Sequence, residues 1–248
     1  MEVHGLICHR DVTTGIICYR SLKQNSWDNI EFILHDDGSL TSKDLEILKA
    51  NLPIKKIFLK KEADEILADY LSNYPACDSY RKKNPYGIKI FDIPLLEKNE
   101  ILAYCDSDIF FFKPFKNLFS FPNRETNILL LSSEDEGYCL RPWHFFMYPG
   151  LKVISKTNAG MFCVKRKYFD LDLAEWFLSK KWPSKFLYLC DQTFWAVLAA
   201  KIGGAIWSSN QIRMPLKKDL AQLDDQYQKP LAFYFIGGLK EYIKKHLS

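Results

Sequence analysis

Nowhere in this chain do two cysteines stand as C-x-x-C. The seven present, Cys8, Cys18, Cys77, Cys105, Cys139, Cys163 and Cys190, are odd in number and scattered. Several sit inside apolar runs, so the expectation is reduced, mostly buried thiols in a cytoplasmic protein. The opening "MEVHGLICHRD" lacks the unbroken apolar core of a signal peptide, because charge and histidine interrupt it. No run is long enough to span a bilayer. The best, "FWAVLAAKIGGAIW", is short and contains Lys201, Gly203 and Gly204. Linkers, repeats and low-complexity stretches are missing too, which points to a single domain over 1–248. A strong excess of one charge is also lacking. A formal charge of +4 is too small to imply nucleic acid as a partner. Only the end, "KEYIKKHLS", is locally basic. It reads either as a solvated helix face or as a weak peripheral contact with an anionic membrane at its inner face.

What the chain does have is apolar and aromatic mass: 48% hydrophobic and 15% aromatic in 248 residues, enough for one sizeable α/β domain or at most two small ones. "GLIC", "IEFILH", "IKKIFLK" and "ILAYC" read as strands. "TTGIICYRSLKQ", a segment from Thr41 to Pro53, "KEADEILADYLSNYP" and a segment opened by Pro85 read as helices between them. Thr41 is an expected N-cap, with Asp44 three residues on. "ILAYC" shows no alternation, as a strand buried on both faces would not. This rhythm predicts a mixed, mostly parallel sheet with helices on both faces. Further on, "NILLLSS", "MFCVKR" and "LAFYFIG" read as strands. "DLDLAEWFLSKKW" and "KFLYLCDQTFWAVLAAKIG" read as helices, and a last helix closes the chain.

The chemistry gathers where strands end. In "ILAYCDSDIFFFKPF" the apolar run stops at Asp106 and Asp108. Residues two apart on an extended segment point the same way, and here they would lie at the carboxyl edge where open α/β sheets bind ligands. Two converging carboxylates repel unless a cation joins them, and hard oxygen donors suit Mg2+ or Mn2+. The alternative is surface turn chemistry. The chain carries its own control in "DLD", Asp170 to Asp172, which precedes a helical pattern and reads as an N-cap and first turn. Asp36 and Asp37 in "HDDGS" end another strand, either at the same edge or in an Asp-Gly turn. Asn158 and Gly160 precede "MFCV". Asp191 and Gln192 interrupt an apolar helix, where a buried carboxylate needs a partner. Gly237 and Lys240 in "FIGGLK" offer backbone N–H groups and an ammonium to a phosphate, or simply a turn.

The order of these motifs, from "FILHDDGSLT" to "YFIGGLK", resembles GT-A-fold glycosyltransferases of the glycogenin and lipopolysaccharide galactosyltransferase-like family. The resemblance implies a single Rossmann-like domain, with 1–108 as the nucleotide-binding half and 109–248 as the acceptor-binding half. It implies Asp36 and Asp37 at the nucleotide, Lys89 near the donor, and Asp106 and Asp108 on Mn2+ or Mg2+. Asn158 and Gly160 would line the sugar pocket, Asp191 and Gln192 would form a DQ helix, and Gly237 and Lys240 would meet the diphosphate. One position departs: Tyr234 stands where the family's last motif begins with a metal-binding histidine, and a neutral phenol is a poor ligand for either ion.

The implied activity is hexosyl transfer from a nucleotide diphosphate sugar, UDP-sugar foremost, to a hydroxyl acceptor such as a glycan or lipid-linked glycan. A place in polysaccharide biosynthesis fits such an enzyme. Asp191 would take the acceptor proton if the reaction inverts. With Gln192 it would stabilise the sugar cation if the reaction retains. Trp143, in "EDEGYCLRPWHFFMYPG", either stacks on an acceptor sugar or packs its own loop down. Two rivals stand beside this reading. One is a haloacid-dehalogenase-like phosphatase with Asp106 as nucleophile, against which Phe110 occupies a position where Thr or Val is usual. The other is a degenerate domain that binds a nucleotide sugar without turnover.

Overall fold

The computed structural model describes residues 1–134, 137–215, 219–220 and 230–247, and for 184–186 the backbone alone. Part of the expected acceptor-side segment, residues 135–136, therefore lies outside the described residues. A seven-stranded sheet has the order β3-β2-β1-β4-β7-β6-β8, with β1 Glu2–Ile7, β2 Glu31–Asp36, β3 Ile54–Phe58, β4 Ile101–Cys105, β6 Ile128–Ser132, β7 Thr157–Lys165 and β8 Gly204–Ile206. A three-stranded sheet has β10, Ala232–Tyr234, between β5, Ile109–Phe111, and β9, Ile212–Arg213. The fold class is mixed α/β with a mostly parallel main sheet. The chain divides into two compact units. Unit 1 is Met1–Leu59, Tyr104–Ser120 and Trp207–Ser248; unit 2 is Lys60–Ala103 and Phe121–Ile206.

In unit 1, β1 pairs in parallel with β2 from Glu2↔Glu31 to Ile7↔Asp36, and β2 pairs in parallel with β3. Val3, Ile7, Phe32 and Leu34 are buried, as expected of central strands. Helix α1, Val12–Asn25, packs hard on β1 because Gly15 lets it. A Cβ at Gly15 would come within 2.4 Å of Ile7 Cδ1. Gly5 does the same for Tyr19, whose hydroxyl passes over it to donate to the Cys105 carbonyl at 3.2 Å. Helix α2, Ser42–Asn51, starts at the expected cap: Asp44 N–H donates to Thr41 Oγ1 at 3.3 Å, and Thr41 N–H donates to Asp44 Oδ2 at 2.7 Å. β10 runs antiparallel to β5, with Tyr234 opposite Ile109. The last helix, named α9 here, is Lys240–His246; its Ile243 is buried with Cys18, Phe233 and Phe235.

In unit 2, helices α3, Lys60–Leu71, α4, Pro75–Lys83, and α5, Tyr86–Leu96, follow one another. Helix α4 was not expected from the sequence. Its backbone N–H groups at Ala76 and Cys77 donate to Glu175, at 3.0 Å each, so its start is fixed by a residue nearly a hundred positions away. Strand β7 runs antiparallel to β6 and β8 parallel to it. Helix α6 is Pro142–Met147, α7 is Leu171–Leu178 and α8 is Cys190–Ile202. Trp195 of α8 is fully buried and stacks on Phe162 of β7 with centroids 4.3 Å apart. Asp170 caps α7 through Leu173 N–H at 2.9 Å, as the second D-x-D predicted. All seven cysteines are free, six of them buried and Cys8 partly so. Among the described residues no helix is long and apolar enough to cross a membrane.

Candidate functional site

Unit 1 gathers its charged groups beyond β1 and β4. Asp106 accepts hydrogen bonds on both oxygens: from the Tyr104 hydroxyl on Oδ1 and from the Tyr234 hydroxyl on Oδ2, the latter at 2.6 Å. Desolvation, followed by the charge of Asp106, pushes the Tyr104 phenol well above its ordinary range, so it stays a donor. Asp108 is buried, and its Oδ2 lies 3.0 Å from Lys240 Nζ. The backbone carbonyl of Asp108 accepts from Phe235 N–H at 2.8 Å, which brings the end of β10 to the D-x-D turn. The two motifs that sequence order set side by side therefore do meet.

Lys240 has a second carboxylate that sequence reasoning missed. Its Nζ donates to Asp11 Oδ2 at 2.8 Å. Asp11 occupies the N-cap position of α1 but makes no side-chain cap bond. Burial would raise the Asp11 carboxyl, but the hydrogen bond and charge of Lys240 bring it below its usual value. Burial likewise opposes the Lys240 charge, yet Asp108 and Asp11 outweigh it and raise the ammonium above its ordinary range. The available signal was an acid four residues beyond a buried strand. It was overlooked because its partner lies 229 residues away.

Asp36 and Asp37 lie at and just beyond the end of β2, where they shape the turn. Asp36 Oδ1 accepts from Gly38 and Leu40 N–H at 2.8 and 3.1 Å, and Asp37 Oδ1 from Ser39 N–H at 3.0 Å. Gly237 has φ +61, a conformation that suits glycine.

Unit 2 holds a separate cluster. Lys89 of α5 and Asp191 of α8 are both buried and face each other, Nζ to Oδ2, at 3.5 Å. Each is tolerated inside because the other is there. Burial, followed by the Asp191 charge, pushes the neighbouring Tyr80 phenol far up. Gln192 donates from Nε2 to the Gly137 carbonyl at 2.5 Å, and Thr193 Oγ1 accepts from Cys139 N–H at 3.0 Å. The start of α8 thus clamps the segment that follows β6. Asn158 and Gly160 lie inside β7, not before it. The β6–β7 register jumps from Leu130↔Phe162 to Leu131↔Asn158, so this is a bulge, and Asn158 Oδ1 accepts from Gly160 N–H at 2.6 Å across it. Trp143 on α6 is 55% exposed, beside Phe146 at 85% and Met147 at 60%. The packing partner of that helix is the buried His144, which meets Trp182 edge-on at 5.0 Å. Trp143 is thus not what holds the segment down.

The donors suit a divalent cation in chemical type. Asp106 and Asp108 are hard oxygen ligands, and the ammonium on Asp108 shows that this edge attracts positive charge. Among the described residues no group of three or more His, Cys, Asp and Glu joins around one point, and Tyr234 is spent on Asp106. The protein alone would therefore hold such an ion weakly.

No family model and no curated protein matches this chain. Solved structures do. A galactosyltransferase, LgtC, in complex with donor and acceptor sugar analogues is 13% identical; the match covers 96% of this chain and 88% of that one, with TM-score 0.58. Mouse xyloside xylosyltransferase 1, in its apo form, is 9% identical over 94% of this chain and 97% of that one, with TM-score 0.61. The apo form of the glycosyltransferase GlyE of Streptococcus pneumoniae TIGR4 is 13% identical over 96% of this chain and 54% of that one, with TM-score 0.57. At these identities the likeness is one of fold.

Proposed function

We propose that this chain, whose fold is that of the GT-A glycosyltransferases, transfers a sugar from a nucleotide diphosphate sugar to a hydroxyl acceptor. UDP-sugars are the first donors to try, and a glycan or lipid-linked glycan is the acceptor class. The observation that carries the reading is Lys240 Nζ at 3.0 Å from Asp108, an ammonium from the first residue of α9 brought onto the D-x-D turn after β4. A fold alone does not fix a function. Charged groups of these types at the carboxyl edge of a sheet do support one.

The bond to be broken leaves negative charge on a diphosphate oxygen and positive, oxocarbenium-like charge on the sugar. Lys240 is assigned to the first. Asp106 and Asp108 would hold Mn2+ or Mg2+, which when bound supplies Lewis-acid stabilisation of the leaving diphosphate. Tyr104 and Tyr234 keep Asp106 in one orientation by donating to both of its oxygens. In unit 2, Asp191 is assigned to the positive charge on the sugar, with Lys89 fixing its carboxylate. Gln192 fixes the start of α8, Asn158 and Gly160 shape the sugar's surroundings through their bulge, and Trp143 offers an exposed ring for an acceptor sugar. Asp36, Asp37 and Gly237 are assigned to the nucleotide and its phosphates. A cytoplasmic location, at the membrane's inner face through the basic last helix, belongs to the same proposal. The phosphatase reading loses support because both oxygens of Asp106 already accept phenolic hydrogens, which is poor preparation for a nucleophile.

The test is release of nucleoside diphosphate from a panel of UDP-, GDP- and dTDP-sugars, with binding followed by calorimetry. Release by the wild type, lost in Asp108→Asn, is the expected result. Binding without release or transfer would favour a non-catalytic sugar-nucleotide binder. Neither binding nor release with any donor would sink the transferase reading.

A further inference from the structure

Three carboxylates, one ammonium and one guanidinium make up the charged edge of unit 1: Asp11, Asp106, Asp108, Lys240, and Arg10, whose Nε lies 3.5 Å from Asp11 Oδ1. Their formal charges leave a net of −1. The ammonium is bound on two sides, 2.8 Å from Asp11 Oδ2 and 3.0 Å from Asp108 Oδ2. An anionic diphosphate approaching this edge meets an excess of negative charge. It also meets a lysine whose own charge is already matched. In the arrangement observed, Lys240 therefore offers a diphosphate little net positive charge. Two changes would reverse the local sign: a dication arriving at Asp106 and Asp108, or Lys240 leaving Asp108. They are coupled, because a dication on Asp108 repels an ammonium held 3.0 Å from the same carboxylate.

Asp11 is placed to keep the lysine when that happens. It ends the 3-10 turn His9–Asp11 and stands at the start of α1, whose position is fixed by the close approach of Gly15 to Ile7. Its carboxylate makes no cap bond, and its other oxygen, Oδ1, faces Arg10 Nε at 3.5 Å, which leaves Oδ2 to Lys240. Lys240 opens α9 just after Gly237 and Gly238.

We infer that Lys240 is a displaceable internal counter-ion. Without donor it neutralises Asp108; the cation that accompanies a diphosphate displaces it from Asp108, and Asp11, a positioning residue, retains it for the diphosphate. The inference deepens the donor-site reading above and rests on it for the diphosphate. The competition between ammonium and dication can be tested without any nucleotide.

The experiment titrates MnCl2 into wild type, Lys240→Met, Lys240→Gln and Asp11→Asn at low ionic strength. It is followed by calorimetry and by the Mn2+ electron paramagnetic resonance signal, with hydrogen exchange confirming that each variant is folded. Both Lys240 variants are expected to bind Mn2+ at least about tenfold tighter than wild type, because a competing positive charge is gone. Asp11→Asn is expected to bind it several-fold more weakly, because the lysine then rests on Asp108 alone. With Mn2+ saturating, the Lys240 variants are expected to bind UDP at least about tenfold more weakly than wild type. Opposite responses to Mn2+ and to UDP are the signature. Lys240 variants that bind Mn2+ no tighter than wild type, or not at all, overturn the inference. If Mn2+ responds as expected but no nucleoside diphosphate binds or turns over, the competition at Asp108 stands, while the transferase reading and the diphosphate role of Lys240 fall.

Discussion

The hydroxyl of Tyr234 donates to Oδ2 of Asp106 at 2.6 Å, across 128 residues of chain. A residue that first reads as a lost metal ligand is thus a hydrogen-bond donor to the carboxylate it would have helped. Tyr234 is buried, stands opposite Ile109 in the small sheet, and shares Asp106 with Tyr104. Removing the hydroxyl in Tyr234→Phe is expected to lower stability by roughly 1–2 kcal/mol, since a hydrogen bond to a charged acceptor is lost while Tyr104 remains. Urea unfolding measures this. Tyr234→His is expected instead to tighten Mn2+ binding, read by calorimetry. An unchanged affinity would mean that this position does not face the ion.

The unit 1 core contains a pH-sensitive histidine. His4 Nδ1 and His35 Nε2 are 3.0 Å apart, and burial lowers the His4 pKa from 6.5 to about 4, with Glu2 opposing weakly. A depressed folded pKa means that the unfolded chain binds more protons between those two values. Stability is therefore complete above pH 6.5 and falls as pH drops towards 4. The loss is expected to be about 3 kcal/mol. Urea midpoints across this window should show the slope in wild type and a flatter profile in His4→Gln. Equal slopes in the two proteins would remove His4 as the cause.

Asp191 and Lys89 are each other's buried partner at 3.5 Å, so the two substitutions should differ in kind. Asp191→Asn keeps the shape and is expected to lower kcat by a hundredfold or more while UDP affinity changes less than threefold. Lys89→Met leaves a buried carboxylate without its ammonium and is expected to destabilise by about 3 kcal/mol. Steady-state kinetics and thermal unfolding separate the two effects. An Asp191→Asn variant with near-wild-type kcat would remove Asp191 from the chemistry.

Trp143 is more than half exposed and is not the anchor of its helix. Trp143→Ala should leave the unfolding midpoint within about 0.5 kcal/mol of wild type. Its expected effect is on the acceptor: a raised acceptor KM with donor hydrolysis unchanged. A large stability loss with no kinetic change would return Trp143 to a packing role.

Gly203 closes α8 with φ +88, and a Cβ there would stand 2.8 Å from the Glu125 carbonyl oxygen. Gly203→Ala combines a strained backbone with a clash against main chain. It is expected to destabilise by about 2 kcal/mol, read by chemical unfolding. A neutral result would show that the turn after α8 can move.

Local pattern sufficed for much of the fold. The strands and helices up to Cys105, α4 excepted, follow from apolar periodicity, the Thr41–Asp44 box and Pro85, because each of those signals acts within a few residues. The second D-x-D string also read correctly as a helix start, since Asp170 sits one step before a helical pattern and caps α7. Where the pattern failed, the cause was distant. Helix α4 has its first turn fixed by Glu175, and strands β5 and β8 are only three residues long and exist through their neighbours in the sheets. Asn158 and Gly160 were expected before a strand, whereas the register of β6 draws them into β7 as a bulge.

The sequence by itself determined the fold class, because burial, periodicity and charge type are written locally. Only the tertiary structure decided who neutralises whom. It paired Lys240 with Asp11 and Asp108, Asp106 with Tyr104 and Tyr234, and Lys89 with Asp191. A charge taken out of water requires a partner, and the chain supplies that partner from whichever segment the packing brings near, however far away it lies in sequence.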